Sequence, residues 1–170
     1  MPERAMLHAI VTSPQPRPTA RKAQLADVDG MFRLINHYAE KHRMLSKTKL
    51  QLYENMRDYS VVMEGSNPGN ILGCGALHLY WDDLAEIRAL AVAPEMIRKG
   101  VGSQLMDVLL DEARNLQIAR VFSFTYEPEF FGRFGFLPVE HRTLPLKVYN
   151  ECFHCSKFHK CDEIAMVLQL

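Results

Sequence analysis

With 170 residues the chain has the length of one domain and little room for a second. Hydrophobic residues make up 48% and charged residues 24%, which supports a packed core and excludes a disordered chain. The formal net charge is +0, so no overall field gathers nucleic acid or an anionic membrane, and only a local patch can hold an anion.

The opening Met1–Ile10 lacks the long apolar core of a secretory signal, and no apolar run approaches the roughly 18 residues that cross a bilayer. The expected location is the cytoplasm, with neither a membrane nor a nucleic-acid partner. Pro14, Pro16 and Pro18 disfavour both helix and internal strand, so residues 1–18 read as an N-terminal arm and 19–170 as the domain. Residues 19–24 form a short strand. Asp27 is the expected cap of a helix whose Val28, Met31, Leu34, Ile35 and Tyr38 share one apolar face. Leu50, Tyr53 and Met56 predict a second short helix ending near Asp58.

Residues 59–64 and 71–80 read as a hairpin around a Gly/Asn/Pro turn, and a second turn at Trp81-Asp82-Asp83 leads to a third strand, 84–92. Pro94 stops that strand. From Gly100 the period changes, and Val101, Leu105, Val108, Leu109, Ala113 and Leu116 make a helical stripe before a strand at 119–125. A crossover through so long a helix favours parallel pairing of its flanking strands. Residues 128–134 form an aromatic helix stopped by Gly135, residues 136–139 a short strand, and residues 163–170 the last strand. The layout is α/β of the α+β kind, a mixed and mostly antiparallel sheet with flanking helices.

Ile97-Arg98-Lys99-Gly100-Val101-Gly102 follows a strand and opens a helix. Two glycines there let backbone N–H groups converge on an anion, with Arg98 and Lys99 adding charge, although an ordinary strand-to-helix turn also accounts for the spacing. Neither a Walker lysine-hydroxyl pair nor a complete dinucleotide fingerprint is present. Cys152-x2-Cys155-x5-Cys161, with His154 and His159 between, reads first as free thiols; its soft ligands make a structural zinc, and its Cys-x2-Cys spacing a redox pair, the alternatives. No catalytic metal is expected. Cys74, in its apolar strand, is a core residue.

Three marks in order, the strand Glu86–Val92, the glycine loop 97–102, and Phe130-Phe131-Gly132-Arg133-Phe134-Gly135-Phe136, resemble the GNAT acyl-CoA N-acyltransferase superfamily from about Thr19 to Leu170. That resemblance implies acetyl-CoA as cosubstrate. Its pyrophosphate would lie on Arg98, Lys99, Gly100, Val101, Gly102 and Ser103, and its pantetheine arm in a central splayed notch between two parallel strands, along Leu90, Ala91 and Val92. Ile97 stands where the family usually has glutamine or arginine, and Arg98 where glycine is common.

Met44-Leu45-Ser46-Lys47-Thr48, the acidic strand from Glu86, Leu144-Pro145-Leu146-Lys147 and the cysteine-rich ending further resemble short bacterial N-acetylglutamate synthases that lack an amino-acid-kinase domain. The resemblance implies transfer of acetyl from acetyl-CoA to the α-amine of L-glutamate, an early step toward arginine. Its alternatives are acetylation of another small amino acid or amine, and a noncatalytic acetyl-CoA-binding regulatory module. Glu86 is the candidate general base, from its place in the acidic strand and from the resemblance, since a carboxylate can take the proton that the α-ammonium loses before its nitrogen attacks; a hydrogen-bonded strand-edge carboxylate is the alternative. A backbone N–H near Leu90 or Ala91 is expected to support the carbonyl oxygen. Lys47 and Lys147 are the candidates for the two substrate carboxylates, with Arg88 facing the same cleft. Tyr126 joins them, with surface packing as its alternative role. Phe131 stands where many family members carry a proton-donating tyrosine, which leaves the leaving-group acid unassigned. A homodimer is expected from the resemblance alone.

Overall fold

The computed structural model describes residues 18–65, 69–145, 149, 152–155 and 157–170. Nearly all of the expected N-terminal arm and Lys147 therefore lie outside the described residues. The chain runs β1 (Thr19–Lys22), α1 (Val28–Ala39), α2 (Lys49–Glu54), β2 (Tyr59–Met63), β3 (Ile71–Leu79), β4 (Leu84–Val92), α3 (Val101–Asn115), β5 (Arg120–Thr125), α4 (Pro128–Gly132), β6 (Leu137–Val139) and β7 (Ile164–Gln169).

The strands form one seven-stranded sheet in the order β1-β2-β3-β4-β5-β7-β6. All neighbours are antiparallel except β4 and β5, whose connection through α3 makes them the parallel pair. Apolar residues of α1 and α2 pack with Tyr59, Val61, Cys74 and Ala76 in one core. A second core joins Met106, Leu109, Leu110 and Ala113 of α3 to Ala85, Ile87, Val121 and Phe131. Alternation along β4 divides its residues between cores, because successive strand side chains face opposite sides.

Local chemistry fixes several boundaries. Thr48 and Gln51 form a reciprocal cap on α2: Gln51 N–H donates to Thr48 Oγ1 at 3.2 Å, and Thr48 N–H donates to Gln51 Oε1 at 2.9 Å. Asp27 does not cap α1 with its side chain as expected. It is fully buried, accepting from Arg21 at 2.6 and 3.0 Å and from the Gln24 N–H at 2.8 Å. The inward face of α2 also differs from expectation: Leu52 is 0% exposed, whereas Leu50 is 65% and Tyr53 49% exposed. A helix of under two turns carries too little periodicity to specify its face, and contact with α1 decides it. In α3 the buried set includes Met106 and Leu110, while Leu116 lies just beyond the helix and is exposed.

Candidate functional site

β4 and β5 share three rungs, Leu84 with Arg120, Ala85 with Val121 and Glu86 with Phe122. Both strands continue beyond the last rung, to Val92 and Thr125, without pairing again, and this leaves an open notch between them. Two features separate them. Ser123 Oγ donates to the Ile87 carbonyl at 2.8 Å, so a side chain takes the place of the next ladder bond. On the other edge of β4 the register with β3 shifts between Cys74 and Ala76, and Ala89 adopts φ 51° at that bulge. A bulge adds a residue to one strand and turns it away from its course. Leu90, Ala91 and Val92 lie along the diverging stretch, and Tyr38 from α1 reaches over to donate to the Val92 carbonyl at 2.6 Å.

At the end of β4 the chain turns through Pro94–Met96 into α3. Arg98 takes φ 64° and Gly100 φ 86°, so Arg98 occupies a left-handed conformation that glycine adopts without strain. Arg98, at the position where the resemblance leads one to expect glycine, thus takes a backbone conformation that suits glycine. Gly100 is the N-cap of α3 and supplies no side-chain cap; Gln104 N–H donates to its carbonyl at 3.0 Å. The N–H groups of Val101, Gly102 and Ser103 are therefore in the first turn, where an α-helix leaves donors for an anion. A Cβ on Gly102 would meet the Phe130 ring at 3.3 Å. Arg98 and Lys99 flank this turn, and these donors and charges fit a diphosphate at the head of the notch.

Glu86 is 9% exposed, at the last rung before the notch. Tyr80 Oη donates to its Oε2 at 3.2 Å. His78, opposite Glu86 in the register, has Nδ1 2.6 Å from Asp58 Oδ2 and packs edge-on against Tyr80. Arg88, two residues along β4 on the same face, lies 4.0 Å from that Asp58 oxygen. The carboxyl is thus held within a polar cluster that sequence reasoning did not assemble. The only local signal was alternation, which put His78 and Tyr80 on one face of the expected 71–80 strand.

A cavity of about 920 Å³ opens between the 42–49 segment and the end of the chain. Asn36, His42, Lys47, Lys49, Tyr126, Cys155, Lys157 and Glu163 are among its lining residues; Glu86 and Arg88 are not. Asn36 holds the Lys47 backbone from both sides, accepting from its N–H at 3.2 Å and donating to its carbonyl at 2.9 Å. Tyr126 donates to Asp162 Oδ1 at 2.5 Å and accepts from Lys157 Nζ at 2.9 Å, and Arg43 lies 5.1 Å from its ring centroid while pairing with Glu127. Burial, followed by the bond to Asp162, raises the Tyr126 hydroxyl above its usual range. Of the substrate candidates, Lys47 and Tyr126 meet at this cavity, Arg88 stays with the Glu86 cluster, and Lys147 is outside the described residues. Asn36, Lys157 and Glu163 are additions that no motif announced.

The Glu163 carboxyl is raised above its ordinary value, first by burial and then by neighbouring Asp162. A carboxyl raised in the folded state binds protons that the unfolded chain has released, so its contribution is complete below the unfolded value of 4.5 and is lost as pH climbs through the folded value. Glu163→Gln is therefore expected to raise Tm relative to wild type at pH 8 and to leave it unchanged at pH 4. Equal shifts at both pH values in thermal melts would contradict this reading.

Cys152, Cys155 and Cys161 carry free thiols. Among the described residues no three His, Cys, Asp or Glu side chains form a ligand set for a metal ion, and the His154 side chain is outside the description. Among the described residues the zinc candidates Cys152, Cys155 and Cys161 thus form no ligand set. Burial, then the Glu86 carboxylate, pushes the Cys152 thiol up to about 12, so this cysteine lies within electrostatic reach of Glu86 as well as of Glu163 on the cavity wall. No helix among the described residues is long and apolar enough to cross a membrane.

The sequence pattern of the Acetyltransferase (GNAT) family matches residues 28–136. The amino-acid acetyltransferase of Mycobacterium tuberculosis is 42% identical over 135 residues, 79% of this chain and 77% of that protein. The solved structure of Rv2747 from Mycobacterium tuberculosis in complex with CoA and NLQ aligns with TM-score 0.76 and 36% identity, covering 90% of this chain and 99% of that one. N-acetylglutamate synthase from Neisseria gonorrhoeae, complexed with coenzyme A and N-acetyl-glutamate, aligns with TM-score 0.80 and 24% identity. That alignment covers 93% of this chain and 36% of the synthase, and it bears on fold.

Proposed function

Because the chain belongs to the acetyltransferase (GNAT) family, we propose that it transfers the acetyl group of acetyl-CoA to the α-amine of L-glutamate, giving N-acetyl-L-glutamate and CoA. It is an acetyl-CoA-dependent amino-acid N-acetyltransferase, and the proposal concerns which amino acid it takes. The observation that carries the choice is the cavity wall bearing Lys47, Lys49 and Lys157 beside Glu40 and Glu163, with Lys49 also paired to Asp29 and Lys157 to Asp162. An acceptor with two carboxylates suits that wall, since ammonium groups form charge-assisted hydrogen bonds with carboxylates.

Bound acetyl-CoA supplies a thioester carbonyl that an uncharged amine can attack, with a thiolate as leaving group. The donors of Val101, Gly102 and Ser103 and the charges of Arg98 and Lys99 hold the diphosphate in this reading. Glu86 accepts the proton of the α-ammonium, directly or through water, because only the free amine has a lone pair for attack. Tyr80 orients the Glu86 carboxylate through its 3.2 Å hydrogen bond. A backbone N–H near Leu90 or Ala91, on the stretch of β4 that leaves its partner, supports the developing charge on the carbonyl oxygen. Lys47 holds one substrate carboxylate, in a position fixed by Asn36. Lys157, which also pairs with Asp162, stands on the same wall for the other, while Lys147, the residue expected there, lies outside the described residues.

The test is release of free CoA with L-glutamate beside a panel of amino acids and amines, with the product confirmed by mass. Glutamate-selective turnover is expected. Lys47→Ala should raise the KM for glutamate by about 10–100-fold, the worth of one hydrogen bond to a charged group, while leaving the KM for acetyl-CoA near wild type. Preference for another amine, or CoA binding with no turnover, would overturn the glutamate assignment.

A further inference from the structure

Acetyl transfer by direct attack needs no acyl-enzyme, so the proposed chemistry leaves the cysteine group at the end of the chain without a role. Its thiols lie on and beside two short turns, Cys152–His154 and Phe158–Lys160, that precede β7. Cys155 lines the cavity, half-buried, and the Lys157 N–H donates to its Sγ at 3.4 Å. Its own N–H donates to the Cys152 carbonyl at 2.9 Å, which places the two cysteines on one turn. The other thiols are less available to a solute in the cavity: Cys74 is fully buried, Cys161 is exposed but outside the cavity wall, and Cys152, half-buried like Cys155, does not line the cavity.

The geometry points to Cys155 as a site of reversible covalent modification by a small, carboxylate-bearing disulfide, with Cys152 as the resolving thiol. The choice of a carboxylate-bearing reagent rests on the reading of the cavity as the acceptor site: among its lining residues Lys47, Lys49 and Lys157 outnumber Glu40 and Glu163, although Lys49 also pairs with Asp29 and Lys157 with Asp162, and the surplus of positive charge favours an anionic solute beside Cys155. In the first step the Cys155 thiolate attacks one sulfur of the disulfide, forming a mixed disulfide and expelling one thiolate. In the second, Cys152 loses its proton to solvent and attacks Cys155 Sγ, expelling the second thiolate. Two protein thiols are oxidised to one disulfide, and the reagent is reduced to two thiols. Burial and the Glu86 charge hold the Cys152 thiol near 12, which makes the second step slow and lets the mixed disulfide accumulate. The adduct occupies the acceptor cavity, and the closed disulfide ties together the turn on its wall.

The test treats the full chain with glutathione disulfide and follows intact mass, the modified peptides and turnover with whichever amino acid the enzyme acetylates. One glutathionyl group is expected first on Cys155, followed by a Cys152–Cys155 disulfide, with loss of most of the turnover and recovery in dithiothreitol. Cys152→Ser should stop the reaction at the mixed disulfide. Cys155→Ser should show neither adduct nor inhibition, its turnover being compared with its own value before oxidation. The anionic reagent is expected to react faster than cationic cystamine at low salt, with the difference shrinking as salt is added. First modification at Cys161 or Cys74, inhibition of Cys155→Ser equal to wild type, or an equal rate with cystamine would overturn the inference. The mass readout does not depend on the acceptor, so failure of the glutamate assignment alone leaves the adduct at Cys155 intact.

Discussion

Glu86→Gln is expected to lower kcat with the preferred acceptor by about 10²–10⁴-fold at neutral pH, the range over which a positioned general base contributes. That loss corresponds to about 3–5 kcal/mol of transition-state stabilisation. The substitution is nearly isosteric, and its amide oxygen can still accept from Tyr80, so the surrounding cluster should persist. What disappears is the capacity to take a proton. The affinity for acetyl-CoA should stay near wild type, because the glycine loop that holds the diphosphate in this reading lies beyond the far end of β4. Single-turnover kinetics together with CoA titration separates the two effects. A variant with wild-type kcat would remove Glu86 from the mechanism, and a variant that loses CoA binding would give Glu86 a structural role.

Phe122→Ala is expected to destabilise the fold by about 3–5 kcal/mol, the usual cost of deleting a buried aromatic ring. For a chain of this size the loss corresponds to a fall in Tm of about 6–20 °C. Phe122 is 0% exposed and sits opposite Glu86 on the last rung of the parallel pair. Its ring centroid is 5.6 Å from that of Tyr80 and 5.7 Å from that of Phe124. Deleting the ring leaves a cavity where the two strands begin to part, and it frees Tyr80, the hydrogen-bond donor to Glu86. Turnover measured well below the variant's Tm should therefore fall by more than the unfolded fraction explains. A melting point within a degree of wild type would show that the ring contributes little to the core. A large stability loss with undiminished turnover in the folded fraction would separate Phe122 from the orientation of Tyr80.

The elements most legible in the sequence were those bounded by strong local signals. β4 runs over Leu84–Val92 as expected, between the Trp81-Asp82-Asp83 turn and Pro94. α3 begins at Val101, immediately after the glycine whose left-handed backbone ends the loop. The parallel pairing of β4 with β5 also followed from the chain, because a crossover helix between two strands returns the second in the same direction. The inward face of α2 was misread, since one and a half turns offer too few positions for a period to show.

The sequence by itself determined the order of strands and helices, the glycine loop at the head of α3, the acidic residue at the start of the notch and the kinship to acetyltransferases. These depend on residues close together in the chain, where turn chemistry, hydrophobic period and motif spacing act. Only the tertiary structure decided that Tyr80, His78 and Asp58 surround Glu86, that Asn36 fixes Lys47, and that Tyr126 meets Lys157 and Asp162 across a cavity. Each of those contacts joins segments brought together by sheet register and core packing. Polar side chains from separate elements became neighbours because burial of the apolar faces fixed where those elements lie, and no local pattern encodes that distance.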